Sequence, residues 1–66
     1  MGFGEKARIR IEHWMQHTAD HIQEYIKFAD ELEKFGHKDA AKPIRDMTEI
    51  IVQCKKYMKD ALSFLK

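Results

Sequence analysis

The chain has 66 residues, 35% of them charged, with a formal net charge of +1. That is one small domain at most, and a chain this short buries only about 60% of the surface its unfolded form exposes, so it needs a staple or a partner. The balanced charge excludes a general attraction to nucleic acid or to a membrane surface, and the single cysteine, Cys54, excludes an internal disulfide.

The first residues, Met1 to Gly4, read as a frayed end, because two glycines add backbone entropy and cap nothing. They carry neither a basic-then-apolar leader nor the Ser or Thr at position 6 that myristoylation favours. Helix 1 is expected over about residues 5–35, where no Gly or Pro interrupts. Its apolar positions Ile11, Met15, Thr18, Ile22, Tyr25, Ala29 and Leu32 step by four and three, which is the seam of a bundle helix. Such a helix is roughly 45 Å long at ~1.5 Å per residue.

Gly36 reads as the residue that ends helix 1 in a left-handed conformation. A turn is expected at 36–38, with Asp39 as N-cap of helix 2 over about 39–65. Pro43 sits too far into that helix for comfort, so the sequence predicts either a later start or an irregular first turn. The helix 2 seam reads Ala40, Ile44, Met47, Ile51, Cys54, Met58, Ala61 and Leu65. Lys55 and Lys56 are then expected to point away from it. Two long helices joined by so short a turn lie antiparallel. The fold class is therefore all-α, an antiparallel two-helix hairpin forming one domain.

Each helix also carries a second apolar row. On helix 1 it is Trp14, His21, Phe28 and Phe35; on helix 2 it is Ile50, Tyr57 and Phe64. A hairpin needs only the narrow stripe for its own contact. The second rows would lie exposed in a monomer and so predict an interface. The simplest closed solution is a homodimer of hairpins, a four-helix bundle; a higher oligomer or docking onto a different protein is the alternative. The longest apolar run, Ile50-Ile51-Val52, is far too short to span a membrane. With a lone thiol and no targeting segment, the expected location is the cytoplasm of a prokaryote.

The chemistry lies on helix 1. His13, His17 and His21 are spaced by four residues, with Glu24 three beyond His21. Residues three and four apart share a helix face, so His17, His21 and Glu24 can converge on a metal ion, and so can His13, His17 and Asp20. A four-residue step drifts about 40° round the helix, so the ladder runs from the polar side at His13 toward the apolar row at His21. His13 is expected to be exposed and His21 substantially buried. With the turn centred near His37, residues whose numbers sum to about 74 stand level. That puts Cys54 beside His21, so His17, His21, Glu24 and Cys54 could meet in one hairpin. His and Cys are ligands for Zn²⁺ and for nickel- or cobalt-like ions. The bland alternative is a set of histidines packed and hydrogen-bonded at an interface. Haem between facing histidines is disfavoured by the bulky row around His21. The order His-x-x-Glu is the reverse of the di-iron bundle signature, and Thr18, not Glu, follows His17, so the zincin pattern is absent. No nucleophile–base pair or phosphate loop is present, so no enzyme is expected.

The segment Ile11-Glu12-His13-Trp14-Met15-Gln16-His17, followed by His21 and Glu24, resembles a group of small uncharacterised prokaryotic helical-hairpin proteins with a His-Trp-x-x-His-x-x-x-His pattern. The resemblance implies a hairpin fold over most of the chain and no established activity. It also implies that His13, His17 and His21 matter together.

Overall fold

The computed structural model describes residues 2–65, which fold as an antiparallel hairpin of two helices. Helix α1 runs Phe3–Lys34 and helix α2 runs Lys38–Ser63. Helix α1 thus begins two residues before the expected start and takes in Phe3 and Gly4. Gly2 stands at the N-cap with no side-chain cap, and Glu5 supplies a carboxylate in the first turn, where it favours the positive end of the helix dipole.

The turn is built as Gly36 suggested. Its φ is +87°, a region that L side chains disfavour. The His37 amide donates to the Leu32 carbonyl at 2.7 Å and the Gly36 amide to the Glu33 carbonyl at 3.1 Å. These are the paired bonds of a Schellman ending, which satisfy carbonyls the helix leaves free. His37 then serves at once as the N-cap of α2, its carbonyl accepting from Ala40 and Ala41 at 3.1 Å each. Asp39 is not the cap; it lies inside the first turn, one residue past the start.

Pro43 does not delay α2, which starts at Lys38 and runs through it. The proline lies on the exposed side. There, water can satisfy the Asp39 carbonyl that its missing N–H would otherwise have met.

The helix 1 seam is as the spacing predicts: Ile22 and Ala29 are buried, and Ile11, Met15, Thr18, Tyr25 and Leu32 are half-buried. The helix 2 seam is met in part: Ile44, Met47, Ile51, Met58 and Leu65 are half-buried as expected, and the remainder is rotated. Ala40, Cys54 and Ala61 are exposed, while Ala41 and Thr48 are buried and Lys55 and Leu62 half-buried. Thr48 tolerates its place because its hydroxyl donates to the Ile44 carbonyl at 2.7 Å, so no polar group is left unmet. Lys55 can lay its aliphatic stem along the seam and keep its ammonium in water.

This core is thin. Ile22, Ala29 and Ala41 are its buried apolar residues, and no large side chain is fully buried among those described. Accessible surface is 5476 Å², against about 4,400 Å² for a compact monomer of 7.9 kDa. The radius of gyration is 15.6 Å, where a self-contained domain of this length has about 11 Å.

Candidate functional site on the aromatic and histidine face

Helical phase decides which side chains stand together. Each residue turns about 100°. Arg45 crosses from α2 to α1, its Nη2 donating to Asp30 Oδ1 at 2.8 Å and its Nε to Glu33 Oε2 at 2.9 Å. The two carboxylates, Glu33 foremost, hold the guanidinium pKa above its ordinary value. This clamp marks one broad face of the hairpin. Arg8 closes the far end, its Nη1 donating to the Leu65 carbonyl at 3.2 Å.

The opposite face follows from the same phase. On α1, Phe3, Trp14, His21 and Phe28 lie on the flank away from Asp30, with His17 just beyond them. On α2, Ile50, Cys54 and Tyr57 lie on the flank away from Arg45. In an antiparallel pair these two flanks look the same way, so both second rows merge into one surface. Trp14 is 53% exposed, Phe28 52%, Ile50 61% and Tyr57 65%. A groove lined by Phe3, Ala7, Ile11 and Trp14, with Lys6 and Arg10 at its side, opens on that surface. The exposure expected of a monomer is therefore what the single chain has.

The histidine ladder lies along this face. The rings of His13 and His17 stand 4.3 Å apart between centroids, tilted by 42°. Those of His17 and His21 stand 6.4 Å apart, edge to face. His21 Nδ1 lies 3.4 Å from Glu24 Oε2, and the Tyr25 ring stacks along His21 at 6.1 Å. All three histidines are exposed. His13 agrees with expectation. His21 does not: its side chain is 53% exposed, because the neighbours meant to bury it, Trp14 and Phe28, stand out in solvent beside it and do not fold over it.

The four residues expected to converge do so only in part. His17, His21 and Glu24 share one flank. Cys54 is exposed, on the other helix. Among the described residues no group of three or more His, Cys, Asp or Glu is arranged to hold a metal ion. The single chain thus offers His pairs rather than a closed shell.

Reading the sequence also missed the Asp30–Arg45–Glu33 clamp and the Arg8–Leu65 closure. The level rule held their signal, since 30 and 45, and 8 and 65, sum to near 74. What it lacked was the phase that brings Arg45 to the edge of the seam.

A family model described as a domain of unknown function, DUF8180, matches residues 7–65. The chain belongs to that family. The match takes in α1 from its fifth residue onward, the turn, all of α2 and every histidine of the ladder. No curated protein and no solved structure matches the chain. No helix among the described residues is long and apolar enough to cross a membrane.

Proposed function

We propose that this protein is a non-enzymatic hairpin whose working form is a self-associated helical bundle, closed over the aromatic and histidine face. The observation that carries the reading is the surplus surface. The chain exposes roughly 1,000 Å² more than a compact monomer of its mass. A standard interface takes about 800 Å² from each partner, and the hairpin's broad face, 51 by 16 Å between its Cα limits, is of that size. A second copy is the occupant that this face suits best. It brings an equal apolar band, and a two-fold needs only a self-complementary patch.

The test is sedimentation of the full chain at micromolar concentration. A species of twice the 7.9 kDa chain mass, or a larger closed bundle, is expected. A well-folded monomer refutes self-association and leaves docking on a different protein as the use of this face.

A second reading, transition-metal binding by the helix 1 histidines, is favoured by one geometric fact. Two imidazoles on one tetrahedral ion hold their ring centres about 5 Å apart, given metal–nitrogen bonds of about 2.0–2.1 Å. The His13–His17 and His17–His21 separations, 4.3 and 6.4 Å, fall on either side of that value. Equilibrium dialysis against Zn²⁺, Ni²⁺ and Co²⁺ tests this directly, with a His17→Ala/His21→Ala double variant as the blank.

A further inference from the structure

Helix α1 spans Phe3–Lys34, so its midpoint falls between residues 18 and 19. His17 and His21 flank that midpoint on the face that self-association would close. A two-fold can bring two such faces together in two ways. In one, the axis runs along the helices, and each residue stands level with its own copy. In the other, the axis runs across them, and residue n stands level with about 37 − n, placing His17 against position 20 and His21 against position 16. Only the second sets α1 of one copy directly over α1 of the other and brings His17 and His21 of the two copies together at the middle of the bundle. In the first, α1 lies over α2 of the other copy, and the two histidine pairs, though level, stand on diagonal helices.

We propose that a divalent transition metal, Zn²⁺ by preference, binds at the middle of the two-fold, held by His17 and His21 from each of two copies. The proposal rests on the self-association reading. It explains why one chain shows a pair of ligands and no closed shell: the site is incomplete without the second copy. Four neutral nitrogen donors in a tetrahedron suit Zn²⁺. His13 stands one step further from the apolar band and lies outside the shell.

Glu24 has a different role from the ligand role its spacing suggests. Its carboxylate faces His21 Nδ1, which favours the tautomer with the proton there and leaves Nε2 free to donate to a metal. Carboxylates that orient a ligating histidine in this way raise its basicity and fix its ring. The stacked Tyr25 ring limits the swing of His21 from the other side. Glu24 is thus a positioning residue for the ion.

Calorimetric titration of metal-free protein with Zn²⁺, with sedimentation in the presence and absence of the ion, tests the proposal. The expected stoichiometry is one Zn²⁺ per two chains, with the dimer dissociation constant falling tenfold or more. His17→Ala and His21→Ala should each abolish tight uptake, and both sites are exposed, so circular dichroism should show an intact fold. His13→Ala should bind as wild type does. Glu24→Gln should keep the stoichiometry and weaken affinity by about 10–100-fold. One ion per chain, tight uptake unchanged in His21→Ala, or no uptake by a protein that sediments as a dimer overturns the shared site and leaves self-association standing. A folded monomer with and without Zn²⁺ overturns both.

Discussion

The two broad faces of this hairpin solve the same problem in opposite ways. On the Arg45 face, long polar side chains find partners within the chain: Arg45 takes Asp30 and Glu33, and Arg8 takes the Leu65 carbonyl. On the other face, Trp14, Phe28, Ile50 and Tyr57 find none and stay more than half exposed. Ion pairs at a surface contribute little to stability, on the order of 0–1 kcal/mol. Burial of an aromatic side chain contributes about 1.5–3 kcal/mol. The face tied by polar pairs, where Val52 and Ile26 also remain exposed, is therefore the weaker source of stability, and the stronger source is left open for a second molecule. Completing a hairpin and stabilising it are separate tasks here, divided between its two sides.

Breaking the open face should have the largest effect. Phe28→Glu or Tyr57→Glu places a carboxylate in the middle of the proposed interface, where it would be desolvated without a partner. Residues at such centres commonly contribute about 2 kcal/mol or more. Association should weaken by at least thirtyfold in either variant, and the resulting monomer should melt at a lower and concentration-independent temperature. Sedimentation and circular dichroism at several protein concentrations check this. A variant that stays dimeric would place the interface elsewhere.

The turn ranks next, because it decides which flanks of α1 and α2 share a face. Gly36 has φ +87° and open space around its missing Cβ, so Gly36→Ala meets no clash and isolates backbone strain. A cost of about 1–2 kcal/mol is expected, read as a lower denaturant midpoint with unchanged slope. A variant of equal stability would mean that the Schellman bonds from Gly36 and His37 do not hold the turn in solution.

How much of this was legible beforehand depends on the helix. On helix 1 the seam from Ile11 to Leu32 steps unbroken and its second row, Trp14, His21, Phe28 and Phe35, stands clear of it, so spacing alone picks out the packed stripe. On helix 2 two stripes overlap. The more apolar one passes through Ala40, Cys54 and Ala61, and the one actually used passes through Ala41, Thr48 and Lys55. Apolarity alone chooses the first, because it cannot see that Thr48 meets its own hydroxyl on Ile44 or that a lysine can bury its stem. The apolar row of Ile50 and Tyr57 adds to the error by pulling the apparent stripe toward the open face. The site shows the same limit. Spacing placed His17, His21 and Glu24 on one flank, as found, and the extra row was rightly read as exposed in a monomer. The burial assigned to His21 presumed a cover that one chain does not supply.

On the closed face, Arg45→Gln should have a smaller effect than either change above. The guanidinium lies at the edge of the hairpin, half in solvent, so part of its pairing is screened. A modest loss of stability is expected at low ionic strength, shrinking as salt is raised to 1 M, and association should be unchanged because Arg45 faces away from the interface. The pH sign is simple. A group whose folded pKa is raised contributes in full below its unfolded value and loses that contribution only as pH rises through the folded one. For Arg45 that window lies in strong alkali, so discharge of Arg45 itself should make no difference between wild type and variant from acid to mild alkali. A loss that persists undiminished at high salt would mean that Arg45 contributes through packing of its stem, not through its charge.

The smallest effect should come from Cys54→Ser, and it sharpens the comparison most finely. Cys54 stands on the open face of α2, at about the level of His21 on α1, since 21 and 54 sum to 75. It is exposed, so replacing its sulfur removes little burial, and a surface change of this kind usually stays within about 0.5 kcal/mol. Melting and sedimentation should match wild type. Its value is as a reporter on Co²⁺. With four imidazoles around the ion, the Co²⁺ adduct should show no thiolate-to-metal absorption, and wild type and Cys54→Ser should give the same spectrum. A thiolate band lost in the variant would put Cys54 in the shell in place of an imidazole. It would also choose between the two symmetries. When the axis runs along the helices, α1 of one copy lies over α2 of the other, and Cys54 of one chain comes opposite His21 of its partner. When the axis runs across them, α1 lies over α1 and the thiol has no path to the ion. Identical spectra thus support the four-histidine shell, and a band that depends on Cys54 replaces it with a mixed shell and fixes the axis along the bundle.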